Sequence, residues 1–126
     1  MSKVDQQYND CLRILEKWEE ANKFLDSGND RDRDSAILRF ELAYEVVWKY
    51  MQQRVRENGF ESNGPRQAFE NAFRLGWIED ECLFEEILKC RNNAVHAYRE
   101  ELANGLAAHL PDFCRAFREL VLAASS

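Results

Sequence analysis

No run in this sequence approaches the roughly 18 apolar residues needed to span a bilayer, and the opening MSKVDQQYND lacks the apolar stretch of a secretory leader. A soluble, cytoplasmic chain is expected. The four cysteines, Cys11, Cys82, Cys90 and Cys114, form no C-x-x-C pair and no close pattern. Neither a disulfide framework nor a metal is needed to explain the fold, and the compartment reads as reducing. Positive charge is in deficit: 17 Lys and Arg against 23 Asp and Glu give a formal net charge of −6, which works against broad, nonspecific adhesion to nucleic acid. Any RNA contact must be local, and the cluster Lys89, Arg91 and Arg99 is its expected source. Histidine is scarcer still, with His96 and His109 the two acid/base candidates. Period-two alternation, internal repeats, low-complexity tracts and linkers are missing too, which leaves neither a strand nor a second domain.

What remains is 126 residues, 45% of them apolar, enough for a single domain over residues 1–126 with one core. Helical spacing runs almost throughout. A first helix, from about Val4 to Leu25, carries Tyr8, Cys11, Leu12, Leu15, Trp18 and Leu25 at that spacing, and Ser27-Gly28-Asn29-Asp30 stops it. The second is expected to start near Asp34 or Ser35, both good N-caps, and to run to Asn58-Gly59 with Ile37, Phe40, Tyr44, Val47, Met51 and Val55 buried. Gly64-Pro65 opens a shorter third helix with Ala68, Phe69, Ala72 and Phe73 inward, ended by Gly76. Asp80 caps a fourth that turns Leu83, Phe84, Ile87 and Leu88 inward and continues at least to His96. The last, Leu102 to Leu122, holds Leu106, Leu110, Phe113, Phe117 and Leu120, and Pro111 is expected to kink or break it because it removes a backbone donor. The fold class is all-α: an up-and-down antiparallel four-helix bundle with an additional short helix.

Chemistry concentrates in Lys89-Cys90-Arg91-Asn92-Asn93-Ala94-Val95-His96-Ala97-Tyr98. Arg91-Asn92, then His96, then Tyr98 resembles the R-N-x-x-x-H-x-Y motif of HEPN proteins found beside minimal nucleotidyltransferases. Further blocks are similar to the same branch, the nucleotidyltransferase substrate-binding family: Arg33-Asp34-Ser35-Ala36-Ile37-Leu38-Arg39-Phe40-Glu41 with Trp48-Lys49, and Gly64-Pro65-Arg66 with Ala72-Phe73 and Gly76. A lone R-x4-H is a weak signal in a helical protein; three blocks in order are a strong one. The match departs from the pattern in Asn93-Ala94-Val95, where the branch often places threonine and serine, and at Arg99, where an aspartate is common.

The resemblance implies a HEPN-like bundle that forms a homodimer, associates with a minimal nucleotidyltransferase in a heterotetramer or larger complex, and in several branches acts as a metal-independent ribonuclease toxin of a toxin-antitoxin pair. It also implies that the Tyr98 position is, in one branch, the acceptor of adenylyl groups from the partner. No cofactor and no metal is implied.

Independently of family, metal-free RNA cleavage needs a base for the 2′-hydroxyl proton, an acid for the leaving oxygen, and donors for the charge on phosphorus. Histidine suits both proton roles near neutral pH. With one motif histidine per chain, a pair arises most simply by two-fold symmetry, His96 of both subunits facing one cleft. Arg91, with its planar fork, suits the phosphate. On one continuous helix, Asn92, His96 and Arg99 would share a face and Arg91, Val95 and Tyr98 another, letting Asn92 orient the imidazole. Trp18, Trp48 and Trp77 read as core; Lys89, Arg99, Trp48 and Lys49 are the substrate-binding candidates, the last two with the Phe60 loop offering an alternative reading as the border of a nucleotide-sized pocket. His109 has no motif and reads as structural or exposed.

A calcium-loop reading of Asp30-Arg31-Asp32-Arg33-Asp34 through Glu41 fails on Ser35 where the turn wants glycine and on the helix expected to absorb its second half. Zinc fails because Cys82, Cys90 and His96 lack ligand-pair spacing and a fourth partner. Three functions stand: an endoribonuclease using Arg91, Asn92 and His96; a non-catalytic subunit presenting a substrate or nucleotide to a nucleotidyltransferase, since the chain has no Gly-Ser and paired-aspartate site of its own; and a purely interacting helical module.

Overall fold

The computed structural model describes residues 2–125. Five α-helices follow one another, α1 (Lys3–Asn22), α2 (Asp30–Glu57), α3 (Pro65–Arg74), α4 (Glu81–Asn93) and α5 (Glu100–Ala124), with 3-10 turns at Leu25–Ser27 and Ala94–His96 and no strand among the described residues. Among those residues no helix is long and apolar enough to cross a membrane.

Capping explains most boundaries. Ser2 and Asp5 form a reciprocal capping box at the start of α1. That helix stops at Asn22 rather than Leu25, whose segment tightens into the 3-10 turn. Gly28 takes a left-handed turn (φ 77°), and Asn29 then accepts from the Arg31 amide at 2.8 Å. Asn29 thus caps α2 a full turn before the Asp34 or Ser35 start expected from sequence. The aspartates at 30, 32 and 34 are consequently wound into helix, with Asp30 and Asp32 in the first turn, where negative charge suits the helix dipole. Pro65 occupies the first turn of α3, and the Asp80 side chain accepts from the Leu83 amide at 3.0 Å to start α4.

Cross-helix ties fix the directions. Cys11 meets the Val46 carbonyl and Trp18 meets Phe40, so α1 and α2 are antiparallel. Arg118 bonds Glu19 at 2.6 Å and Asn22 reaches the Leu110 carbonyl, so α5 runs against α1. Arg33 reaches Glu100 near one end and Arg54 reaches the Ala124 carbonyl near the other, making α5 parallel to α2. Leu83 and Phe84 line one cavity with Asp112 and Leu120, and Cys90 and Asn93 line another with Leu102 and His109, so α4 runs against α5 and, setting α3 aside, the order is up-down-up-down.

Aromatic rings build the centre. Phe117 on α5 is fully buried and touches a ring on each of the other four helices: Trp18, Tyr44, Phe69 and Phe84, with centroids 5.8, 6.5, 6.1 and 5.9 Å away. Offset and tilted rings at such spacings pack favourably. The stripe read from sequence holds on α2 and α5, whereas Phe73, expected inward, is 39% exposed, and Trp48 and Trp77 are half-buried against the core.

Two corrections concern α5. It begins at Glu100, and it passes through Pro111 without a break. Proline leaves the Ala107 carbonyl without its amide donor, but Ala107, Ala108 and Pro111 line an open cavity of about 510 Å³ at the α1–α2 corner, so that carbonyl is not sealed in the core.

Candidate functional site

The motif straddles a corner. Arg91, Asn92 and Asn93 finish α4, Ala94 to His96 form the 3-10 turn, and α5 begins after Arg99. The expected helix through His96 therefore ends three residues early. Backbone bonds at 3.0 Å, Ala97 to the Ala94 carbonyl and Arg99 to the His96 carbonyl, tighten the corner, and the buried Ala94 methyl anchors it. Because the α-helical period lapses here, Asn92, His96 and Arg99 do not share a helix face. Asn92 is exposed and makes no hydrogen bond to His96.

His96 and Tyr98 stand at the tip, both exposed, with rings 6.2 Å apart in an edge-on arrangement. Tyr98 is 77% and Val95 64% exposed. Lys89 and Arg99 are also exposed and make no ion pair among the described residues.

Arg91 is different, because it turns back onto α2. Its guanidinium lies 5.6 Å from the centre of the Tyr44 ring and its Nη2 is 3.7 Å from Glu45 Oε1. Its Nε is buried without a hydrogen-bond partner. The other Glu45 oxygen accepts from the Trp48 indole N–H at 3.3 Å and lies 3.7 Å from Lys49 Nζ. Three candidates named from sequence, Trp48, Lys49 and Arg91, therefore meet at one carboxylate that sequence reasoning passed over. The signal was available: Glu45 precedes Trp48 by three and Lys49 by four, the spacings that share a helix face. Burial pushes the Tyr44 phenol up to about 12, against the pull of the Arg91 charge, so it stays protonated. Burial and then Glu86 raise the neighbouring Cys90 thiol to about 11, which leaves it a poor nucleophile.

Cavities of about 780, 660 and 510 Å³ are lined by residues other than Trp48, Lys49 and Phe60. Beside the motif, a smaller cavity of about 190 Å³ is lined by Cys90, Asn93, Ala97, Leu102, Gly105 and His109. His109 is exposed and stacked on Phe113, with centroids 5.4 Å apart.

The ties Arg91–Glu45 and Arg33–Glu100 pin the corner along one stretch of α2. On that stretch Leu38 and Leu42, one turn apart, are 54% and 40% exposed. Arg33 is the stronger tie, bonding Glu100 at 2.7 Å and Asn104 at 3.1 Å.

The family described as nucleotidyltransferase substrate binding protein like matches residues 5–125. A crystal structure from Thermus thermophilus superposes with a TM-score of 0.86 at 30% identity, covering 92% of this chain and 99% of that one. A second structure, from Haemophilus influenzae, is described as revealing the fold of a substrate-binding domain of a nucleotidyltransferase. It gives a TM-score of 0.71 at 20% identity, over 98% of this chain and 97% of that one. Among curated proteins none matches.

Proposed function

The chain belongs to the nucleotidyltransferase substrate-binding family, and on that premise we propose that it works beside a separately encoded minimal nucleotidyltransferase as a homodimeric, metal-independent endoribonuclease acting through the 91–98 corner. The observation that carries this reading is the exposed His96 at the tip of the turn, with Arg91 anchored one turn back on α4. An imidazole open to solvent can exchange protons with a substrate, and a guanidinium held by the frame can meet the charge on phosphorus. One His96 takes the 2′-hydroxyl proton as that oxygen attacks phosphorus. The other subunit's His96 protonates the departing 5′-oxygen, leaving a 2′,3′-cyclic phosphate and a 5′-hydroxyl. Leu38, Leu42 and Val95, all exposed around the corner, supply apolar surface for the two-fold contact.

The test compares the purified chain with His96→Ala for cleavage of total RNA in EDTA, with light scattering to confirm that both are dimers. Cutting by the native dimer alone supports the proposal; no cutting by either removes the nuclease reading. A second reading, transfer of a nucleotidyl group from the partner enzyme onto Tyr98 that silences the motif, is favoured by the 77% exposure of Tyr98, whose ring a partner enzyme can reach. Incubation with the partner and ATP would then add the mass of a nucleotidyl group to the native chain and not to Tyr98→Phe.

A further inference from the structure

Glu45 sits where an anion would sit. Arg91 approaches one carboxylate oxygen at 3.7 Å, while the other takes the Trp48 indole N–H at 3.3 Å and faces Lys49 Nζ at 3.7 Å. Two cations and a neutral donor, from two helices, address one carboxylate, with a cation at each of its oxygens. The fit is loose: charge-assisted N–H···O bonds close to about 2.7–2.9 Å, and neither cation comes that near. The buried Arg91 Nε has no acceptor at all. A small planar carboxylate thus leaves donor capacity of Arg91, Lys49 and Trp48 unused. Glu45 is also able to leave, since its side chain is 43% exposed.

We propose that Arg91, Lys49 and Trp48 form a phosphate-binding site whose resident anion is Glu45, displaced when a phosphate group of RNA or a nucleotide enters. The proposal deepens the role given to Arg91 above and adds a gate to it. With Glu45 in place, the cradle is neutralised and attracts polyanions weakly, in keeping with a chain of net charge −6. With phosphate in place, the Arg91 Nε gains its acceptor and the carboxylate turns to solvent. Glu45 acts here by competing for Arg91, not by contact with the reacting atoms.

The test uses inorganic phosphate and the full chain, with no RNA and no turnover, reading the Trp48 indole N–H signal by NMR. Glu45→Gln keeps the shape and the hydrogen-bond acceptor but removes the charge. It is expected to bind phosphate roughly four-fold tighter or more, the effect of deleting one charge at ~5 Å in a water-like dielectric. Glu19→Gln makes the same change of net charge at the distant Arg118 pair and is expected to leave phosphate affinity unchanged. Adding Arg91→Gln to Glu45→Gln is expected to abolish the gain. Equal or weaker binding by Glu45→Gln, an equal gain in Glu19→Gln, or a gain that survives loss of Arg91 would each overturn the proposal. A chain that cleaves no RNA yet shows the gated phosphate binding would lose the nuclease reading and keep this one; the reverse result separates them equally well.

Discussion

Replacing Phe117 by alanine removes a side chain that touches a ring on every other helix. Burying a phenylalanine side chain contributes about 1.5–3 kcal/mol by transfer alone, and the unfilled space left behind adds to that, giving about 3–5 kcal/mol for Phe→Ala. Collapse into the hole would require helices from all sides to move together, so the upper end of that range is expected. Against a typical total of about 5–15 kcal/mol, a loss at that upper end removes a third of the stability or more. At this chain length the melting temperature should fall by roughly 12–20 °C, taking about 4 °C per kcal/mol. Urea unfolding followed by circular dichroism and by tryptophan emission measures it, and Trp18, as a direct neighbour of Phe117, ties the second probe to the site. Lys17→Ala, at an exposed position of α1, serves as the reference and should change stability by no more than about 0.5 kcal/mol. A loss below about 1.5 kcal/mol for Phe117→Ala would refute the view that this ring joins the five helices.

Gly105 lies inside α5 with helical backbone and open space where a Cβ would stand; Gly105→Ala should therefore stabilise the chain by about 0.5–1 kcal/mol in a thermal melt. Burial raises Cys11 and Tyr44 to about 12 and Cys90 and Cys114 to about 11. These groups are neutral in the fold and ionise more readily when unfolded, so their contribution is complete below about pH 8.5 and is lost as pH rises through 11 to 12. Denaturant midpoints measured from pH 7 to 11 should fall only in the alkaline part of the series. Cys82 is exposed while Cys11 and Cys114 are buried; a thiol reagent at neutral pH should label Cys82 at once and reach those two only after unfolding, as counted by mass spectrometry.

The fold was legible because its signals are local and repeated. The stripe from Ile37 to Val55 and the one from Leu106 to Leu120 each report a buried face many times over, so single errors such as Phe73 do not disturb the pattern. Boundaries were less legible because they rest on single contacts. Asn29 outcompeted Asp34 as a cap only through the left-handed turn at Gly28, which no periodicity reveals. The end of α4 was missed for a related reason: Ala94-Val95-His96 is compatible with helix by propensity, and the chain leaves the α period there to bring Glu100 under Arg33. Of the candidate site, the residue types and their spacing were legible. Their geometry was not, because Arg91 is placed by Tyr44 and Glu45 from a helix far away in sequence, and only packing joins them.

The corner between α4 and α5 divides the motif into parts with different freedom to change. Arg91 belongs to the frame, and altering it disturbs what α2 presents to α4. The residues at 95, 96, 98 and 99 belong to a tip that touches little of the bundle, so substitutions there change what the protein meets while the frame stays as it is. A lineage could retune its partner or substrate at those four positions one at a time, and each intermediate would still fold.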